Sequence, residues 1–167
     1  MNLIGIIGLV ALGAVVVLVL GKRRFQAHAR AVAAAWEQVQ AALEQRHDLG
    51  RRLVANAAQP DDPAIQALHD VLTQAEFVSG FAMKARMENL LTRGLHKAVT
   101  MGGDERFAES VAALPGAFEA IQHASSDYNA QVRDYNAALD RQAFVARLFH
   151  FEPREEFFLE AMEGEKH

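Results

Sequence analysis

No cysteine occurs in this chain of 167 residues. That absence excludes a disulfide framework, a thiolate metal site, a cysteine nucleophile and a lipoprotein signal. Proline is nearly as scarce, at Pro60, Pro63, Pro115 and Pro153 only. Long stretches therefore lack a breaker, and a composition rich in Ala, Leu, Val, Glu, Gln and Arg favours helices over strands. A strong charge of one sign is also missing. The formal net charge is −4, so no nucleic-acid partner is implied. The length suits one domain. Tyrosine occurs twice, and both copies lie in "DYNAQVRDYN" at 127–136, which repeats Asp-Tyr-Asn seven residues apart.

The longest apolar run is "LIGIIGLVALGAVVVLVLG" at 3–21, with no charged side chain. As a helix it would span roughly 28 Å, near the hydrocarbon thickness of a bilayer. A cleaved signal peptide places basic residues before its apolar run. Here Lys22, Arg23 and Arg24 follow it, with His28 and Arg30 beyond. Residues 1–21 are thus expected to form an uncleaved anchor whose partner is the lipid bilayer through 3–21. Basic flanks stay on the cytoplasmic side. The expected location is a cell inner membrane, single-pass, with the N-terminus outside and a cytoplasmic domain over 22–167. Gly5 and Gly8 are followed four residues later by Leu9 and Leu12, so a small-xxx-small pairing motif is absent.

After the anchor, Phe25, Ala29, Val32, Trp36, Val39, Leu43, Arg46, Gly50 and Leu53 alternate steps of four and three. That period of about 3.5 marks the seam of a bundle or coiled coil. "QPDDP" at 59–63 ends the first helix, with Asp61 or Asp62 as the next cap and Pro63 in the following first turn. A second helix is predicted over 64–99. "MGGD" at 101–104 is the next turn, with Asp104 as cap. The third helix steps through Phe107, Val111, Leu114, Phe118, Ile121, Ser125, Tyr128, Val132, Tyr135, Leu139, Gln142, Ala146 and Phe149. Pro115 predicts two pieces meeting near Leu114. The fold class is all-α: a transmembrane helix continuing into an antiparallel up-down-up bundle of long helices. A short C-terminal helix is expected over "PREEFFLEAME", opened by Pro153.

Catalytic signatures are missing. Glu44-x-x-His47 is one half of a carboxylate-bridged di-iron pattern, but no second copy exists, and Glu119 and His123 stand four apart rather than three. The serines fall in helical patterns rather than on a strand-to-helix elbow. Gly102-Gly103 lacks the rest of a phosphate loop. No catalytic residue, cofactor or metal ligand is assigned.

The C-terminal part resembles the LemA family. Its members carry Tyr-Asn, a spacer with valine, a second Tyr-Asn, then an apolar stretch with paired aromatics. Here these are Tyr128-Asn129, Val132, Tyr135-Asn136, Phe149-His150-Phe151 and Phe157-Phe158. The earlier signature, an aromatic and then R-x-D-L before an apolar pair, corresponds to Trp36, Arg46-His47-Asp48-Leu49 and Leu53-Val54. The family's Tyr-Pro-Asp-Leu turn is replaced by "AVTMGGD", and Arg51-Arg52 stand where it has Pro-Asn. The chain looks like a short, divergent member. The resemblance implies a membrane-anchored helical bundle and no established reaction.

Two features remain. Arg46 occupies a seam position, and a buried charge needs a partner. With the first and third helices running the same way, a polar layer is expected from Arg46, Asp48, Tyr128, Asn129, Tyr135 and Asn136. It would fix helix register. The tail aromatics Phe149, Phe151, Phe157 and Phe158 are expected at the end farthest from the bilayer. There they would cap the bundle near Leu53, Val54 and Ile65 or form a protein-contact surface. The function expected is that of a membrane-anchored helical scaffold or adaptor without catalytic activity, with a homo-oligomer as a possible assembly. The alternative is an accessory subunit of a membrane enzyme or transporter, bound to an unidentified membrane or cytoplasmic protein through the distal tip.

Overall fold

A computed structural model describes residues 3–159. Five helices follow in order: α1 (Leu3–Ala55), α2 (Pro63–Ala75), α3 (Phe81–Val99), α4 (Glu105–Arg141) and α5 (Ala143–Leu148). The protein is an all-helical bundle built on long helices. Two units are distinguishable: Met1–Trp36 with Asp127–Glu156, and Glu37–Ser126 with Phe157–His167. Among the described residues, no helix is long and apolar enough to cross a membrane. The side chains of residues 3–8, 10 and 11 lie outside the described ones, so the expected span 3–21 falls partly beyond them.

In the second unit the expected caps form. Asp62 accepts a hydrogen bond from the Ala64 amide at 2.7 Å, and Pro63 opens α2. Asp104 accepts from the Phe107 amide at 2.9 Å at the start of α4. Backbone pairing of Ala57 with Gly103 ties the end of α1 to the turn before α4. A Cβ on Gly103 would stand 2.4 Å from the Asn56 carbonyl oxygen, so only glycine fits this close approach.

The single helix expected over 64–99 is two helices. Residues 76–80 turn the chain, and Gly80 adopts φ +88, a conformation that L side chains rarely adopt. The break folds α2 back on α3. Leu68 and Leu72 then share one apolar cluster with Leu91, Leu95, Leu49 and Leu53. Small residues permit the approach: a Cβ on Gly94 would meet Leu68 at 3.3 Å, and one on Gly50 would meet Leu72 at 3.1 Å.

The predicted break near Leu114 does not occur, and α4 continues through Pro115. Pro115 and Gly116 are exposed, so water can reach the Val111 carbonyl that loses its amide partner. The seam holds at Phe107, Leu114, Ile121, Tyr128, Val132, Tyr135 and Leu139, all buried. Between them Ser110, Ala117 and Ala124 are buried, while the expected Val111, Phe118 and Ser125 are half-buried. A straight helix of 3.6 residues per turn drifts against a strict seven-residue repeat, and the buried stripe shifts by one position.

In the first unit α4 returns along α1. Trp36 packs on Tyr128 with ring centroids 5.2 Å apart, and Val145 meets the position a Cβ would take on Gly21 at 3.1 Å. The two helices are antiparallel, against the expected parallel first and third helices. The extra turn at 76–80 changes the parity. The tail consequently lies beside residues 22–25 of α1: Phe151 contacts Phe25 at 5.1 Å, and the Lys22 ammonium sits 5.0 Å above the Phe149 ring. The expected distal position of Phe149 and Phe151 is therefore corrected. The expected C-terminal helix is corrected too, because residues 151–159 are not helical; residues 160–163 of that segment lie outside the described ones.

Candidate functional site

The second unit holds a buried charge cluster. α1 supplies Arg46 and His47, and α3 supplies Glu88 and Thr92, one helical turn apart. Arg46 and Glu88 are each 1% exposed and form a direct ion pair. His47 Nε2 lies 2.9 Å from Glu88 Oε1. Arg46 Nη1 donates to Thr92 Oγ1 at 3.0 Å, and that hydroxyl donates to the Glu88 carbonyl at 2.9 Å. The guanidinium also lies 5.4 Å from the Phe118 ring centroid, within cation–π range.

Burial pushes the Glu88 carboxyl pKa up, but the His47 hydrogen bond and the His47 and Arg46 charges together outweigh it. The carboxyl is held below its ordinary value. Burial lowers the Arg46 value, and Glu88 opposes that shift. A carboxylate held ionised by a buried guanidinium and hydrogen-bonded to an imidazole is a poor proton acceptor at neutral pH. The cluster joins α1 to α3 through buried charge. Arg46 Nε is buried without a hydrogen-bond partner among the described residues.

Asp48 does not join this cluster. It is 57% exposed and pairs with Arg51 at 2.7 Å, while Arg51 also reaches Glu76 at 2.7 Å. Successive helical residues point about 100° apart, so Asp48 cannot share the face of Arg46. The expected polar layer is corrected: Asp48 faces out, Arg46 pairs with Glu88 and Thr92, and Tyr128, Tyr135 and Asn136 bond the backbone of residues 152–155 instead. Glu88 was not singled out from the sequence. The signal was present: Glu88, Leu91, Leu95 and Ala98 step through α3 by three and four, which makes Glu88 a charged seam residue of sign opposite to Arg46.

The first unit contains the second candidate, and it explains the repeated Asp-Tyr-Asn. Tyr128 donates to the Glu155 carbonyl at 2.9 Å, and Tyr135 donates to the Glu152 carbonyl at 3.0 Å. Asn136 donates to the Arg154 carbonyl at 2.9 Å and accepts from the Arg154 amide at 3.0 Å. Arg133 pairs with Glu156 at 2.9 Å. Asn129 is buried on the same helix. Seven helical residues advance about 10.5 Å. Three extended residues advance about 10 Å. The two tyrosines are therefore matched rungs, holding the extended tail antiparallel to α4. Burial raises the Tyr128 pKa, with the charge of Arg154 opposing and that of Glu155 adding. The hydroxyl stays protonated and able to donate at neutral pH.

Further along the tail, Phe157 is buried in the second unit, 6.3 Å from Phe81 in an edge contact. That is not the expected cap on Leu53, Val54 and Ile65. Phe158 is 67% exposed. Among the described residues, no group of three or more His, Asp or Glu could hold a metal ion.

The pattern of the LemA family matches residues 35–167. The chain belongs to the LemA family. No match was found among curated proteins. The LemA match covers both sets of residues described above. In the Arg46-His47-Asp48-Leu49 signature, the first two residues clamp Glu88 and Leu49 enters the core, while Asp48 faces out. In the double Tyr-Asn signature, both tyrosines and the second asparagine bind the tail backbone.

Proposed function

We propose that this LemA-family chain is a membrane-anchored helical scaffold or adaptor without catalytic activity. The observation that carries this reading is a row of exposed apolar residues on α1. Leu9, Leu12, Val15, Val16, Val17, Val19 and Leu20 are all exposed, on several sides of the helix. Apolar side chains pointing outward all round a helix match a lipid environment better than water. Lys22, Arg23 and Arg24 at its end support an orientation with the following domain in the cytoplasm of a cell with an inner membrane. The polar groups of both candidate sites engage other parts of the chain rather than converging on a cleft, which favours scaffolding over catalysis.

The test is alkaline carbonate extraction of membranes from cells making the full chain. The protein is expected in the membrane pellet, and release into the supernatant would refute the anchor. A reporter active only after export, fused behind His167, should stay silent. Light scattering in detergent measures self-association. The accessory-subunit reading has a specific surface in its favour: Phe77, Met83 and Phe158 are exposed in the second unit, with Phe77 at 82%. A stoichiometric partner lost on Phe77→Ser and Phe158→Ser would support that alternative.

A further inference from the structure

The short helix α5 has two opposite faces. Val145 and Ala146 are buried, while Phe144 and Leu148, four residues apart on the other side, are exposed, Phe144 at 74%. Gly21 fixes the height of α5 along α1. A Cβ there would lie 3.1 Å from Val145 Cγ1, so α5 packs where the apolar run ends and Lys22 begins. Phe144 lines a groove of about 410 Å³ with Val17 and Leu20, rimmed by Arg24 and Arg141. Exposed Lys22, Arg23 and Arg147 extend the basic rim, and α5 itself carries no acidic residue.

We infer that α5 is a membrane-surface wedge, docking on the anionic phospholipid headgroups of the bilayer that takes residues 3–21. This rests on the anchored reading above. Two observations identify the occupant. First, the apolar groove is continuous with the outward-facing row of α1 and lies at its basic end, the level of a bilayer interface. Second, an apolar centre ringed by arginine and lysine matches an interfacial helix on anionic lipid: the aromatic enters the acyl boundary and the long cationic side chains reach the phosphates. A soluble protein partner would have no reason to require a lipid-embedded neighbour. The wedge would hold the second contact with the membrane and limit tilting of α1 at the surface.

The absence of cysteine allows a direct test on the full chain. Single cysteines Val15→Cys and Ala143→Cys are labelled with an environment-sensitive fluorophore. The protein is reconstituted in vesicles of phosphatidylcholine alone or mixed equally with phosphatidylglycerol. Quenching by lipids spin-labelled at shallow or deep positions reports depth. The expected result is deep quenching at position 15 and shallow quenching at position 143. Quenching at 143 should be about two-fold stronger in the anionic vesicles. Phe144→Ser with Leu148→Ser should abolish it while helical circular dichroism is retained. Quenching at 15 but not at 143 overturns the wedge and leaves the anchor intact. Quenching at neither position overturns both. Equal quenching at 143 in the two vesicle types overturns the assignment to anionic lipid.

Discussion

Replacing Glu88 by alanine strands the Arg46 guanidinium. Arg46 is buried to 1% exposure, and Glu88 is its only acidic partner among the described residues. The substitution also removes the acceptor of His47. Removing one member of a buried ion pair destabilises by about 3–5 kcal/mol, because the remaining charge stays desolvated. Arg46 keeps Thr92 and the Phe118 ring, so the lower part of that range, about 3 kcal/mol, is the expected loss. For a chain of this size each kcal/mol moves Tm by about 2–4 °C, which places the drop near 10 °C. Urea unfolding of the full chain in a mild detergent, followed by circular dichroism, measures it. The double variant Arg46→Met with Glu88→Met removes both charges and should recover most of the loss, since apolar replacements of a buried pair are often neutral. A loss below about 1 kcal/mol in Glu88→Ala would refute the reasoning, as it is the size of an exposed pair. So would a double variant no more stable than the single one.

Acidification should weaken the same clamp. The Glu88 carboxyl lies below its ordinary value when folded, so its stabilisation is complete above the unfolded value of about 4.3 and is lost as pH falls through the folded value. The urea midpoint should therefore fall below about pH 4, and less steeply in Glu88→Gln. In the tail, Tyr135→Phe removes one hydrogen bond and should cost about 1 kcal/mol, while Asn136→Ala removes two. Trypsin cleavage after Arg154 should accelerate in both, more in Asn136→Ala; unchanged rates would mean that the tail is not held there. Gly80→Ala places a Cβ at φ +88 and should destabilise by about 1–3 kcal/mol, although no atom crowds the site. Equal stability would mean that α2 and α3 are one helix.

Much of the helical content and most of the seam were legible. Phe25, Val32, Val39, Leu43, Arg46, Gly50 and Leu53 fall where a 3.5-residue period puts them. Asp62 and Asp104 cap as their positions suggest, because a short acceptor before an apolar period has few other uses. The turn at 76–80 was not legible. Its only markers are Ser79 and Gly80, and a lone glycine costs a helix about 1 kcal/mol, too little to exclude continuation. What decides the break is tertiary: folding back places Leu68 and Leu72 in one cluster with Leu91 and Leu95. The tail clasp was half legible. The spacing of the tyrosines was visible, but their acceptors are backbone carbonyls, which no side-chain pattern can announce.

That one turn governs where the remaining chemistry lies. With a three-helix count, α4 would run away from Lys22 and its aromatic sequel would sit at the far end. With α2 and α3 as a hairpin, α4 runs back, and the chain after it meets Gly21, Lys22 and Phe25 in turn, through Val145, Phe149 and Phe151. The apolar residues of the C-terminal part are then divided by destination. Phe149 and Phe151 are taken up by α1, and Phe157 is taken up by Phe81. Phe144 and Leu148 stay outside, beside the apolar row of α1. The clasp by Tyr128, Tyr135 and Asn136 is what makes this division stable. An extended segment without internal hydrogen bonds needs its carbonyls and amides satisfied from outside, and α4 does this at Glu152, Arg154 and Glu155. In this chain the double Tyr-Asn thus fastens a non-helical tail to a helix. The exposed face of α5 follows from it, because a chain fastened on both sides of a six-residue helix has little freedom to turn that helix over.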